Sequence, residues 1–214
     1  MAKIRNQHLL GLAADKVKKV FDSSRVNLPN QVERLYQPFY DYIEVDTTAI
    51  TPSTKFFQVP QGQNGKSIID TNMELAGNLP KGQAFLVTGI SVEVLPNEGL
   101  SVTGDSEFGD IMYSILRSGA LVFTVGSKDY VVQGNLMKFP PKNLLQRDTA
   151  ASGYASAFVM DYAQADGEFF SIVPILLESS QNFSVTLKDI AATQASNDVR
   201  IGVHLEGILY RNAQ

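Results

Sequence analysis

The hydrophobic pattern changes period once along the chain. Over residues 7–21, Leu9, Leu10, Ala13, Val17, Val20 and Phe21 recur at i, i+3/i+4 spacing, with Lys16 and Lys19 off that stripe. This predicts an amphipathic helix of about four turns. Residues 23–53 carry Pro29, Pro38 and Pro52 among Tyr36, Phe39, Tyr40 and Tyr42, and read as an extended, aromatic-anchored connector. From Thr54 the period becomes 2, and strands are expected over 55–60, 84–96, 110–119, 120–127, 129–134, 169–179, 182–190 and 198–211. Residues 135–167, with Pro140-Pro141 and a run of small residues from Ala150 to Ala157, fit a helix, a strand or a long surface loop.

Individual strands carry finer expectations. In 84–96, Phe85, Val87, Gly89, Ser91, Glu93 and Leu95 should share one face, and Leu86, Thr88, Ile90, Val92 and Val94 the other, nearly apolar one. In 198–211, Val199, Ile201, Val203, Leu205, Gly207 and Leu209 should face one way. Gly126-Ser127-Lys128-Asp129 is a hairpin turn, and Pro174 marks 169–179 as an edge strand or a bulged one. Eight strands without β-α-β alternation predict an all-β fold, a single eight-stranded antiparallel jelly-roll sandwich with an N-terminal amphipathic helix and extended arm. Its expected domains are the basic helix and arm, 1–53, and the jelly-roll β-sandwich, 54–214.

Charge adds a second contrast. Residues 1–25 hold Lys3, Arg5, Lys16, Lys18, Lys19 and Arg25 against Asp15 and Asp22, a net +4 in a chain whose total is −4. The simplest account is a helix packed on its own domain with its lysines in water. The functional account is an arm projecting toward a polyanion, either nucleic acid or an anionic membrane surface. One copy would bind weakly; an array of copies would bind strongly. The apolar stretch of the N-terminus is broken by Asp15, Lys16, Lys18 and Lys19, which makes it a poor signal peptide. No run approaches the roughly 20 apolar residues of a membrane-spanning helix. Synthesis and folding in a cytoplasm are expected.

The chemistry-bearing residues are sparse. With no cysteine among 214 residues, disulfides, thiol catalysis and thiolate metal sites are excluded together. Gly62-Gln63-Asn64-Gly65-Lys66-Ser67 ends like a phosphate-binding loop, but the first glycine of that pattern would fall on Pro60, which has no N–H to offer. An exposed turn is the expectation there, and the apolar run ending in Asp161 does not change it. The only histidines, His8 and His204, are too few for a cupin-type metal cluster or a hydrolytic triad. The carboxylate groups Asp105/Glu107/Asp110 and Asp161/Asp166/Glu168 read as solvated turns. Asn182-Phe183-Ser184 fits the glycosylation pattern but lies in a strand. No enzyme activity, cofactor or small-molecule substrate is expected.

Within residues 71–96, Asn72, Gly77, Leu79-Pro80, Phe85, Val87, Gly89-Ile90 and Val92 resemble the early strand region of jelly-roll coat proteins from tailless icosahedral bacteriophages. The likeness covers about 25 residues and the general strand spacing. It implies a viral structural protein of the virion, made in a host cytoplasm. Such a subunit would assemble with itself as trimers or pseudo-hexameric capsomers, and with other capsid proteins. Its N-terminal arm (Lys3, Arg5, Lys16, Lys18, Lys19, Arg25) would face interior membrane or genome, and Tyr36, Phe39, Tyr40 and Tyr42 would reach a neighbouring subunit. Many members of that group carry two jelly rolls per chain, whereas this length accommodates one, as in a single-roll coat or vertex protein. The alternative from another class is a carbohydrate- or receptor-binding sandwich, lectin-like or a phage adhesin, with Tyr154, Tyr162, Asn97 and Asn197 on its loops.

Overall fold

The computed structural model describes residues 32–45, 53–96, 114–140, 144–145, 163–164, 170–179, 181–190 and 199–212. Its strands are β1 (Val32–Leu35), β2 (Phe39–Val45), β3 (Ser53–Phe56), β4 (Gln83–Pro96), β5 (Ala120–Val125), β6 (Lys128–Gly134), β7 (Leu144–Leu145), β8 (Ala163–Gln164), β9 (Phe170–Glu178), β10 (Phe183–Lys188) and β11 (Val199–Asn212). Two antiparallel sheets pack into a β-sandwich. In the first, β1 and β2 lie end to end along one side of β11, and the order continues through β4 to β9. The second runs β3-β10-β5-β6. β7 and β8 form a short separate ribbon.

Period-2 patterning explains the core. Val199, Ile201, Val203, Leu205 and Leu209 of β11 are all buried, as the alternation predicts. They meet Phe56, Leu121, Phe123, Val185 and Leu187 from the opposite sheet in one cluster. Each such side chain contributes about 1.5–3 kcal/mol on removal from water. The β5–β6 hairpin closes through Gly126 and Ser127, and Gly126 has φ 60° at the first central position, as a type II′ turn requires. β9 ends its sheet and is also irregular, so Pro174 sits where both halves of the sequence argument put it.

Four expectations are revised or left aside. First, residues 32–45 are not a connector leaving the sandwich: β1 and β2 are strands of it, so the sandwich begins well before residue 54. Second, the two faces of β4 are not those of a simple alternation. The register with β11 skips Thr88, so Phe85 and Val87 join Ile90, Val92 and Val94 in the core, while Ser91 and Glu93 turn outward. Third, 114–118 is a helical turn where a strand was expected. Ser118 Oγ donates to Ser114 O and Gly119 N to Ile115 O, which puts Ile115 into the core. Fourth, the N-terminal helix over 7–21 lies outside the described residues.

Candidate functional site

The polar groups of the described chain converge where the loop between β3 and β4 crosses β2. This loop runs over residues 57–82, and its turn at 60–66 is held by Gly62 N donating to Lys66 O (2.8 Å) and Lys66 N to Gln63 O (3.0 Å). Gly62, Asn64 and Gly65 all take positive φ, conformations open mainly to glycine and asparagine. The turn is exposed, as expected, but its lysine is not solvated. Lys66 Nζ reaches back 2.5 Å to Asp41 Oδ1 and 2.9 Å to Tyr42 O.

Asp41 is fully buried in the middle of β2. Its other oxygen accepts from Phe57 N at 2.6 Å, and Thr71 adds a side-chain hydrogen bond. Phe57 has φ 66°, an unfavourable backbone for a bulky residue, and the carboxylate pins it there. Burial pushes the Asp41 carboxyl up, and the hydrogen bonds from Lys66, Phe57 and Thr71 and the lysine charge only partly oppose that.

The same loop seals the outer edge of β2. Tyr42 N donates to Asp70 O, Tyr40 N to Asn72 Oδ1, Thr71 Oγ1 to Tyr40 O and Asn72 Nδ2 to Pro38 O. Asp70 is held in turn by Ser67 N (2.8 Å), Ser67 Oγ (2.9 Å) and Arg200 Nη2 (2.5 Å). Partial burial raises its carboxyl, but these partners outweigh it and hold it below the ordinary value.

Beside this loop, on the outer face of the first sheet, a second network joins three strands. Tyr42 of β2 donates its hydroxyl to Glu93 Oε1 of β4, and His204 Nε2 of β11 lies 2.7 Å from that oxygen and 2.9 Å from the Tyr42 hydroxyl. Because the phenol proton goes to Glu93, the imidazole must carry its proton on Nε2 to satisfy both contacts. Arg200 stacks over the Tyr42 ring at 4.6 Å, and the Tyr40 and His204 rings lie 5.9 Å apart. Burial raises the Glu93 carboxyl, yet hydrogen bonds from His204 and Tyr42, with the charges of His204 and Arg200, hold it below the usual carboxylate range. Burial and Glu93 together push the Tyr42 phenol far up, so it stays protonated. Gly202 leaves room for the Tyr42 ring, since a Cβ there would lie 2.3 Å from Cε1.

Chemically, a carboxylate, an imidazole and a phenol could serve proton transfer. Here the Tyr42 hydroxyl, Glu93 Oε1 and His204 Nε2 are bonded to one another. Ser91, opposite His204 in register, is buried, so a hydroxyl nucleophile at that point is shielded from solvent. The arrangement works as a polar staple across β2, β4 and β11. Glu93→Gln is expected to cost about 1.5–3 kcal/mol, the range for hydrogen bonds to a charged group. With its folded pKa depressed, Glu93 contributes stability that is present above its unfolded value of about 4.3 and lost as pH falls through the folded one. Thermal melts between neutral pH and pH 3 should therefore show wild type losing more stability than the glutamine variant.

The aromatic residues assigned from sequence to an inter-subunit arm separate here. Phe39 belongs to this chain's own core, its ring 4.5 Å from Phe85, which corrects its placement. Tyr40 and Tyr42 belong to the network above, and Tyr36 is 61% exposed, with its hydroxyl donating to Glu206. Lys3, Arg5, Lys16, Lys18, Lys19 and Arg25 lie outside the described residues, as do Asn97, Tyr154, Tyr162, Asn197 and the carboxylates of 105–110 and 161–168. Asp41 and Arg200 escaped sequence reasoning, which places Lys66 only in an exposed turn and Glu93 only on a strand face. The available signal was a charged residue at an inward position of an otherwise apolar alternation, at Asp41. Among the described residues, no three His, Cys, Asp or Glu side chains stand together as a metal-binding group. No protein-family model, curated protein or solved structure matches the chain.

Proposed function

We propose that this chain is a viral structural protein, a single jelly-roll subunit that self-assembles into an icosahedral shell like those of tailless icosahedral bacteriophages. The observation that carries the reading is the pairing order. β2 pairs with β11, β3 with β10, β4 with β9 and β5 with β6. First therefore meets last, and the series closes inward like one long hairpin. The further pairs β11–β4 and β10–β5 coil that hairpin into the two facing sheets of the sandwich. This order supports a jelly roll, an architecture used by viral capsid proteins, lectins and cupins.

The choice of a shell subunit rests on the sequence: the basic stretch 1–25 ahead of the first strand, and the coat-protein likeness within 71–96. In this reading the arm lies on an anionic membrane or the genome inside the shell, where many copies make a weak, salt-sensitive contact strong. Exposed Tyr36 would then face a neighbouring subunit.

Light scattering across salt concentrations, with negative-stain electron microscopy of the same samples, tests the proposal. Trimers, pentamers or closed shells are expected. A salt-independent monomer would overturn the reading in favour of a carbohydrate- or receptor-binding module. Removing residues 1–25 should leave the melting transition in place and reduce assembly or its salt response; unchanged assembly would count against the arm's role.

A further inference from the structure

We infer that the outer face of the first sheet, where β1, β11, β4 and β9 lie side by side, is covered by the amphipathic stripe of residues 7–21 of the same chain. Phe85, Val87, Leu177 and Leu209 belong to the main core, and the residues that alternate with them point the other way. There Ala84, Leu86 and Tyr210 form a second apolar cluster, with Val32, Leu176 and Ile208 packed around it. Leu86 stands in register with Ile208 on one side and Leu176 on the other, so the cluster runs across neighbouring strands. At this end the strands are apolar at consecutive positions, 84–87 in β4, 175–177 in β9 and 208–210 in β11, the pattern of strands buried on both faces. Toward the other end, Ser91, Glu93, Arg200 and His204 return the same face to polar residues. A second layer therefore belongs over one end of it. Ala84 at 0%, Leu86 at 1% and Tyr210 at 5% exposure are as deep as the main core, yet among the described residues every member of the cluster belongs to this one sheet.

The occupant follows from where the chain enters. Val32, itself in the cluster, is the first described residue, so the residues ahead of it reach the sandwich at this edge. Those residues carry the apolar stripe of 7–21, which needs a surface of this kind to cover it. A helix over 7–21 is about 22 Å long, and four strands span about 14 Å, so it can cross the whole cluster. Residues 22–31 reach up to about 33 Å, enough to fold it back over the sheet. Burial of the stripe is offset by the entropy of ordering 7–31. The docked arm therefore adds little net stability, in keeping with a melting transition that survives removal of 1–25. The inference stands without the shell. Within a shell it bears on the arm's partner: a docked stripe leaves Lys18 and Lys19 to a phosphate backbone and withholds the apolar face that a bilayer-bound helix inserts.

Because the chain has no cysteine, engineered thiols report the contact directly. In a variant carrying Ala13→Cys and Ile208→Cys, a short bifunctional maleimide should link the two thiols within one chain. The link should form several-fold faster than in a control carrying Ala13→Cys and Val132→Cys, whose second thiol stands exposed on the opposite sheet. Leu176→Cys replaces Ile208→Cys should the latter fail to fold. Adding Leu10→Asp and Val17→Asp should bring the rate down to that of the control. Equal rates in the two pairs, or links that form only between chains when single-cysteine proteins are mixed, would overturn the inference. Removal of residues 1–25 gives a second measurement. A hydrophobic dye should bind the bared cluster with several-fold brighter fluorescence; unchanged fluorescence would mean that another segment covers it. Linked monomers that never assemble support the docked arm and remove the shell. Shells from a chain whose thiols do not link leave the shell standing and remove the docked arm.

Discussion

Asp41→Ala is expected to destabilise the protein by about 3–5 kcal/mol, the range for breaking a buried ion pair by removing one partner. The loss combines two effects. Lys66, turned inward from an exposed loop, loses its carboxylate, and the Phe57 N–H loses its acceptor while its backbone remains at positive φ. A loss of that size corresponds to a melting temperature lower by roughly 10 °C in a chain of this length. Lys66→Ala should have a comparable effect, because it leaves the buried Asp41 carboxylate unpaired. The double variant should cost less than the two single losses combined; simple additivity would mean that the pair does not act as a unit. The pH response has the opposite sign to that of Glu93. Burial raises the Asp41 carboxyl, so the folded state holds its proton more readily than the unfolded chain does. Its contribution is therefore most favourable below the unfolded value of about 3.9 and declines as pH rises through the folded one.

Gly207→Ala is expected to be the most damaging single methyl group in the first sheet. A Cβ at Gly207 would lie 2.1 Å from the Leu86 carbonyl oxygen and 2.8 Å from Phe85 Cζ. The first of these is backbone of the adjoining central strand, so no rotamer change relieves it. β4 and β11 must separate beside the Thr88 bulge, where they are already out of simple register. Overpacking of this kind costs about 3 kcal/mol or more, read as a lower urea midpoint with an unchanged slope. Gly62→Ala is the matching control. Its φ is +82° and nothing lies within 4 Å, so only the backbone term of about 1 kcal/mol applies. Similar losses in the two variants would show that the close approach at Gly207 is not what matters there.

The long strands were legible because their burial follows their period. Apolar residues alternate with others in β11 from Val199 to Leu205 and in β10 from Phe183 to Leu187, and every one of those apolar positions is buried. β2 was missed because its inward positions read Phe39, Asp41, Ile43 and Val45. An aspartate in that series argues for solvent until Lys66, 25 residues later, is known to neutralise it. The faces of β4 were misassigned because one bulged residue, Thr88, shifts every position beyond it. The polar staple was illegible for a related reason. Glu93 and His204 are 111 residues apart, and only the register of β4 against β11 brings them to one oxygen atom. The helical turn at 114–118 competes with a run of β-favouring residues, and docking of Ile115 into the core decides between them.

The place of β11 bears on how the chain reaches this state during synthesis. β11 is the last strand of the sandwich to leave the ribosome, yet it lies inside the first sheet, flanked by β2 and β4. Until it emerges, those two strands have no partner between them, and the Tyr42–His204 contact must close across 162 residues. Such long-range closure is entropically costly and slow. The half-made sandwich therefore waits with an open apolar slot, the kind of surface that chaperones hold and that crowded nascent chains aggregate through. A late-inserted central strand makes the emergence of β11 the step that commits the sandwich to its fold.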